Sequence, residues 1–405
     1  MQTRVDVILQ VFVIFVAAKA AAEVFVRLDL PAIAGELLLG VLLGPHVAGL
    51  IEVNQTTETL AELGIVILLF TVGLQTPVSG LIRVGRSSLI TSFAGIVAAG
   101  STAVLVMVAF GFSLHEGLLV GTALAASSVG VAARVFQDLG LTGSRQARVV
   151  LGASIVDDVA TLALFPFLFG LGAQGKSTGS VLTGLVGIVV FIGLVIVPGS
   201  RITRRHPTIL ERAKLRRAPF VMALALCLGL AALAEQVGLA ALVGAFLAGM
   251  VLAETRERYE LDRRMLPLFD FLVPFFFVVA AARMDPRAVL SGHLGLTATL
   301  VAVTIVAKLA GCGAGASGLS ARRRLQVGAG MVPRNEVALV VAAAGRAAGA
   351  LSAELFSVVV AAVIVSTLVA PPLLRVLIPP AERGPERALE GPPEAPGGEE
   401  GHNVP

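Results

Sequence analysis

Cysteine and histidine are scarce in this chain of 405 residues, with two of the first and five of the second, and neither occurs in a Cys-x-x-Cys or His-x-x-x-His spacing. A transition-metal centre is therefore not expected, and Cys227 and Cys312, each alone in an apolar stretch, read as buried small side chains. There is no Walker motif and no Gly-rich dinucleotide fingerprint, which argues against work driven by ATP. Charge is also sparse: Asp, Glu, Lys and Arg make up 14% of residues against 56% hydrophobic, and mean hydropathy is +0.90. That balance excludes a soluble domain and belongs to an integral membrane protein.

Apolar segments of about 20 residues recur from end to end, each long enough to cross a hydrocarbon core about 30 Å thick as a helix. Thirteen are expected, near 4–26, 31–50, 58–79, 88–111, 115–136, 147–170, 179–200, 217–235, 238–254, 266–282, 292–317, 325–348 and 353–378. The first is long, carries Lys19 and Glu23 and lacks a convincing cleavage region, so it is expected to be a span and not a cleaved signal. Positive charge collects on the cytoplasmic side of membrane proteins. With the N-terminus outside, the loops and tail on that side hold 23 of the 31 Arg and Lys, including Arg83 and Arg86, Arg145 and Arg148, the run from Arg201 to Arg217, and Arg322 to Arg324. The other side holds Arg4, Lys176, Arg283, Arg287 and Arg346, and only Lys19, Lys308 and Arg334 fall inside spans away from their ends. The pI near 9.6 follows from this solvated lining, with no call for nucleic acid as a partner. From Ala381 onward the chain is rich in Pro, Gly and Glu and is expected to be a disordered tail, with no soluble regulatory domain attached.

Against this background Asp157 and Asp158, side by side in Ser154-Ile-Val-Asp-Asp-Val-Ala160, are conspicuous. One carboxylate near the bilayer centre costs about 2.5–3.5 kcal/mol on the lenient insertion scale, and a neighbour adds repulsion, so the pair marks an ion or proton site. Lys308, in the middle of the eleventh span, cannot easily reach the interface and needs a counter-charge, for which either Asp of the pair is suited. Adjacent helical side chains diverge by about 100°, so one Asp can face Lys308 while the other faces an ion pathway. The fifth span contains Ala125-Ala-Ser-Ser-Val-Gly130 and the twelfth Met331-Val-Pro-Arg-Asn-Glu-Val337, both interrupted near the middle by helix-weakening residues. If spans 1–6 and 8–13 are repeats, each interruption is the fifth element of its half, and a seventh span between them inverts the second half. Inverted halves with broken helices meeting at the midplane are the sequence signature of secondary transporters. Ser127 and Ser128 alone would also suit tight helix packing. Arg334 and Glu336 are expected to form a local ion pair that stabilises the second break.

Gly121 to Val135 and Leu151 to Val159 resemble the ion-binding helices of monovalent cation:proton antiporters of the second superfamily branch, and within it the bacterial NapA-type sodium/proton antiporters. The likeness extends over Pro31 to Pro45, Ala61 to Leu74, Val243 to Met250 and the Lys308 and Arg334-Asn-Glu336 segments. It implies an all-α polytopic membrane protein with about thirteen helices in two six-helix inverted repeats and two crossed broken helices. The implied units are 1–111 (dimerisation spans 1–3 and the start of the core), 112–171 (core spans 5–6), 172–216 (linker span 7 and basic loop), 217–284 (dimerisation spans 8–10), 285–380 (core spans 11–13) and the tail 381–405. Asp158 would be the principal cation and proton carboxylate, Asp157 the partner of Lys308, and Ser127 and Ser128 would lend oxygen. The sequence departs from the family at Asn335, where Gly is common, and at Ser127, where Thr is common.

A hard monovalent cation wants oxygen ligands, which an ionised carboxylate with hydroxyls, carbonyls and water supplies, and a proton on the same carboxylate displaces it. The expected activity is thus sodium or lithium exchanged for protons across the cell membrane by a homodimer, with no enzyme chemistry and no cofactor beyond the transported ions. If Lys308 also releases a proton, exchange is electrogenic, each net charge being worth about 2.3 kcal/mol per 100 mV. Potassium:proton exchange is the nearest alternative, although a glutathione-gated potassium efflux system is expected to bring a cytosolic nucleotide-binding domain. An intramembrane aspartyl protease needs its two aspartates on separate helices, unlike this adjacent pair, and a channel or purely structural protein accounts poorly for the acids.

Overall fold

A computed structural model describes residues 2–77, 85–172, 218–236, 240–334 and 336–382, together with 193–196, 198–199, 201 and 205. Most of the expected seventh span, most of the basic run from Arg201 to Arg217, and Arg83, Lys176, Asn335 and the tail beyond Glu382 lie outside the described residues. Among the described residues all regular structure is helical. In chain order the helices are α1 (Gln2–Arg27), α2 (Ala32–Leu43), α3 (Gln55–Leu74), α4 (Arg86–Ala109), α5 (Leu114–Ala125), α6 (Val129–Asp138) and α7 (Arg145–Gly172). They continue with α8 (Ala218–Gln236), α9 (Ala241–Leu252), α10 (Leu261–Ala282), α11 (Leu294–Gly315), α12 (Ala321–Gly330), α13 (Glu336–Ala347) and α14 (Ala353–Leu377). Eight stretches among them are long and apolar enough to cross a membrane. Large apolar side chains point outward along them, among them Phe12, Phe93, Leu105 and Val306, which suits a surface facing hydrocarbon.

Contacts sort the helices into two sets. In one, α3 packs on α9 and α10, α2 on α1 and α10, and α8 on α9. In the other, α4 packs on α5, α7 and α11, and α12 to α14 close around them. The first set is held by close backbone approach. A Cβ at Gly73 would run into the Phe246 carbonyl, and one at Gly249 into the Phe70 carbonyl, so α3 and α9 touch main chain to main chain.

The two interruptions read from the sequence are real breaks. α5 ends at Ala126, which is extended at φ −63°, ψ 145°, and Ser128 starts α6 by accepting a hydrogen bond from Val131 N on its hydroxyl. Pro333, which has no N–H and disfavours helix in the residue before it, sits between α12 and α13. The second expected span is shorter than its apolar composition suggests: α2 stops at Leu43, ahead of Gly44-Pro45, which turns the chain.

Candidate functional site

The unwound segments of the two broken helices meet. Ser128 N donates to the Pro333 carbonyl at 2.8 Å, Ser127 Oγ lies 3.0 Å from the Met331 carbonyl, and Arg334 Nη1 donates to the Ala126 carbonyl at 3.2 Å. The Pro333 carbonyl at one break and the Ala126 carbonyl at the other are thus each served by a group of the opposite break.

α7 passes this crossing and brings both aspartates. Asp157 is 0% exposed and saturated: Ser92 Oγ donates to Oδ1 at 2.6 Å, while Ser127 Oγ and Lys308 Nζ donate to Oδ2 at 2.8 Å each. Lys308, equally buried on α11, also donates to Ser127 Oγ at 2.8 Å. The choice left open by the sequence therefore falls on Asp157 as the partner of Lys308. A buried pair with this many additional hydrogen bonds meets the condition under which ionised groups tolerate a low-dielectric interior.

Asp158 points elsewhere. It lines a cavity of about 670 Å³ between the two helix sets, together with Ser128 and Glu336 from one side and Lys19, Glu36 and Asp270 from the other. Polar residues at helix ends, Asp29, Arg134, Asp138 and Asp262, also line it. One carboxylate of the pair is thus locked in the crossing and its neighbour opens on space that a hydrated ion can enter.

The expected ion pair between Arg334 and Glu336 does not form. Arg334 is 2% exposed and turns to the Ala126 carbonyl, its Nε and Nη2 having no hydrogen-bond partner among the described residues, while Glu336 begins α13 on the cavity side. A residue in the unwound stretch and the first residue of the next helix project in different directions, unlike two a turn apart in one helix. Sequence reasoning missed Ser92, whose only signal was the polar Thr91-Ser92 step in an apolar span, and Gly95. A Cβ at Gly95 would collide with Cys312 Sγ, so the glycine lets α11 pack close on α4 beside Lys308.

A family profile described as "Sodium/hydrogen exchanger, transmembrane" matches residues 11–378. A high-affinity Na(+)/H(+) antiporter, NhaS3, of Synechocystis sp. is 31% identical over 95% of this chain and 93% of its own length. The Na(+)/H(+)-K(+) antiporter GerN of Bacillus cereus is 30% identical over 90% of this chain and 95% of its own. The fold is similar to that of the sodium proton antiporter MjNhaP1 of Methanocaldococcus jannaschii, with a TM-score of 0.69 over 92% of this chain and 96% of that one at 17% identity. With most of its length matched, the chain belongs to the transmembrane sodium/hydrogen exchanger family, whose members are ion transporters, not enzymes, and work without a cofactor.

Proposed function

We propose that this chain is a secondary active sodium(/lithium):proton antiporter of the cytoplasmic membrane in which a proton and a monovalent cation compete for Asp158. The observation that carries this reading is the contrast between neighbours: Asp157 is saturated by Ser92, Ser127 and Lys308, whereas Asp158 lines the cavity beside Ser128. The printed names of NhaS3 and GerN, both Na(+)/H(+) antiporters, support the same exchange.

In this cycle Asp158, ionised, gathers a cation from the cavity with Ser127 or Ser128 and water completing its oxygen shell. Protonation of the same carboxylate releases it. Carrying an unneutralised carboxylate past an apolar barrier costs several kcal/mol, so only the loaded or protonated site crosses, and exchange is coupled without a separate device. If Lys308 gives up a proton while cation binds, two protons move per cation and the cycle is electrogenic. Arg334, tied to the Ala126 carbonyl, contributes a fixed positive charge to the crossing.

The reading includes about thirteen helices in two six-helix inverted repeats, supported by two breaks that meet each other. The set holding the crossing is assigned as the moving core, and the set built on α1–α3 and α8–α10 as the dimerisation bundle of a homodimer. Asp29, Asp138 and Asp262 belong to segments that the Arg and Lys pattern assigns to the cytoplasm, so the cavity is taken as inward-open and the N-terminus as outside. Potassium:proton exchange is the second reading, favoured by the potassium in GerN's name.

The test is cation-dependent proton flux in proteoliposomes holding the purified chain, with sodium, lithium and potassium added in turn. Flux with sodium or lithium and its loss in Asp158→Asn, a change that keeps shape and removes charge, is the expected result. A fall of about two orders of magnitude corresponds to roughly 2.7 kcal/mol. Robust exchange by folded Asp158→Asn protein removes Asp158 from the centre of the reading, and flux with potassium alone favours the alternative.

A further inference from the structure

Seven acidic residues line the cavity, and four of them have a basic partner: Asp29 with Arg375, Asp138 with Arg134, Asp262 with Arg256 and Asp270 with Lys19. Glu36 is different. It projects from α2 on the side opposite Asp158, is 6% exposed, and among the described residues takes part in no hydrogen bond and no salt bridge within 4.0 Å. Lys19 and Asp270, 3.4 Å from each other, are the two charged groups that act on it. A carboxylate buried to this degree with no donor is unfavourable unless it is neutral or something that enters the cavity satisfies it. Packing does not explain the acid either, because a Gln or Leu would fill the same volume of α2.

The chemistry of the wall narrows what enters. Asp270 is already turned to Lys19, so when Glu36 is ionised the three side chains together carry one net negative charge, centred on Glu36. One net negative charge on a wall that faces open space is neutralised by one monovalent cation. The same cavity leads from this wall to Asp158.

We propose that Glu36, backed by Asp270 and opposed by Lys19, forms a second monovalent-cation station, which holds a hydrated cation on the cavity wall before it passes to Asp158. The proposal rests on the antiport reading above and deepens it. A cation held here keeps its water and pairs with one carboxylate, so binding is weak and fast. It raises the local cation concentration that Asp158 meets and leaves the exchange chemistry to Asp158. Lys19 competes as a tethered ammonium: when it leans on Asp270 the station is open, and when it turns to Glu36 the station is filled by the protein itself.

The test is sodium-dependent proton flux in proteoliposomes, with choline balancing ionic strength, for the parent and for Glu36→Gln, Glu36→Asp and Lys19→Gln. Glu36→Gln is expected to raise the apparent KM for sodium about fivefold while the saturating rate stays within about twofold, as a nearby charge lost in a partly wet site implies. Glu36→Asp restores most of the affinity. Lys19→Gln lowers KM about threefold by removing the competitor, a gain that damage to the fold does not produce. An unchanged KM in both Glu36→Gln and Lys19→Gln overturns the station, as does a Glu36→Gln protein that loses only its saturating rate. Should Glu36→Gln fail to fold, Lys19→Gln decides alone. Failure of the antiport reading itself shows separately, as exchange persisting in Asp158→Asn.

Discussion

Around the crossing, Asp157 is wholly buried and receives hydrogen bonds from Ser92, Ser127 and Lys308; across the cavity, Glu36 is nearly as buried and receives none from the described residues. The surroundings differ in the same sense. The crossing is a network of side chains and unwound backbone, whereas the facing set is held by α3 and α9 in direct main-chain contact at Gly73 and Gly249. A polar network can exchange partners while a glycine seam cannot, since its only alternative to contact is separation. The difference separates a region suited to changing charge from one suited to staying rigid.

The largest effect expected from disturbing this contrast is at the seam. Gly249→Val places a branched side chain against the Phe70 carbonyl, and because backbone cannot move aside the cost is expected to go beyond the roughly 1–3 kcal/mol of ordinary overpacking and to leave mostly misfolded or poorly extracted protein. Thermal unfolding followed by size-exclusion in detergent measures it; a parent-like melting temperature means that α3 and α9 are free to slide.

Next comes Lys308→Gln, which leaves Asp157 without its buried counter-charge and is expected to destabilise by roughly 3–5 kcal/mol. If Lys308 carries the second proton, the surviving exchange also becomes insensitive to an imposed membrane potential. Transport as voltage-driven as the parent's would leave the ammonium as a strut.

A smaller effect follows from shared occupancy of Asp158. Protonation removes the cation ligand, so the apparent affinity for sodium falls as pH falls through the site's titration, approaching about tenfold per pH unit on the acidic limb, and becomes independent of pH on the alkaline side. Saturating sodium recovers the rate. Constant affinity across the range in which the rate collapses requires a sensor elsewhere.

Ser127→Ala is the mildest. It takes one of several donors from Asp157 and is expected to cost about 1 kcal/mol in stability, read from the same melts, with exchange retained.

The breaks were legible because Ser127-Ser128 and Pro333 are poor helix interior residues in otherwise apolar runs, and a local rule sufficed. Lys308 was legible as needing an acid, yet which aspartate it meets depends on how α7 is rotated against α11, a tertiary fact absent from spacing. The expected Arg334–Glu336 pair failed because Arg334 lies in the unwound stretch and turns to Ala126, while Glu336 starts α13, so proximity along the chain does not predict contact there. Ser92 and Gly95 escaped notice for another reason: a serine and a glycine in a membrane helix are ordinary, and only the arrival of Asp157 and Lys308 from two other helices gives them meaning. Glu36 was visible merely as part of a Gly-rich segment, since burial without a donor is a property of the assembled wall.

Ser127 has one hydroxyl hydrogen and two acceptors within reach, Asp157 Oδ2 at 2.8 Å and the Met331 carbonyl at 3.0 Å, while its lone pairs receive Lys308. The hydrogen can serve only one acceptor at a time. While Asp157 is anionic the charge-assisted bond wins, and the Met331 carbonyl at the other break is left without that donor. Were Asp157 neutralised, the preference would weaken and the hydroxyl could rotate to the backbone. Rotation of a single torsion in α5–α6 thus reports the charge state of α7 to the unwound end of α12, so that three helices share one movable hydrogen.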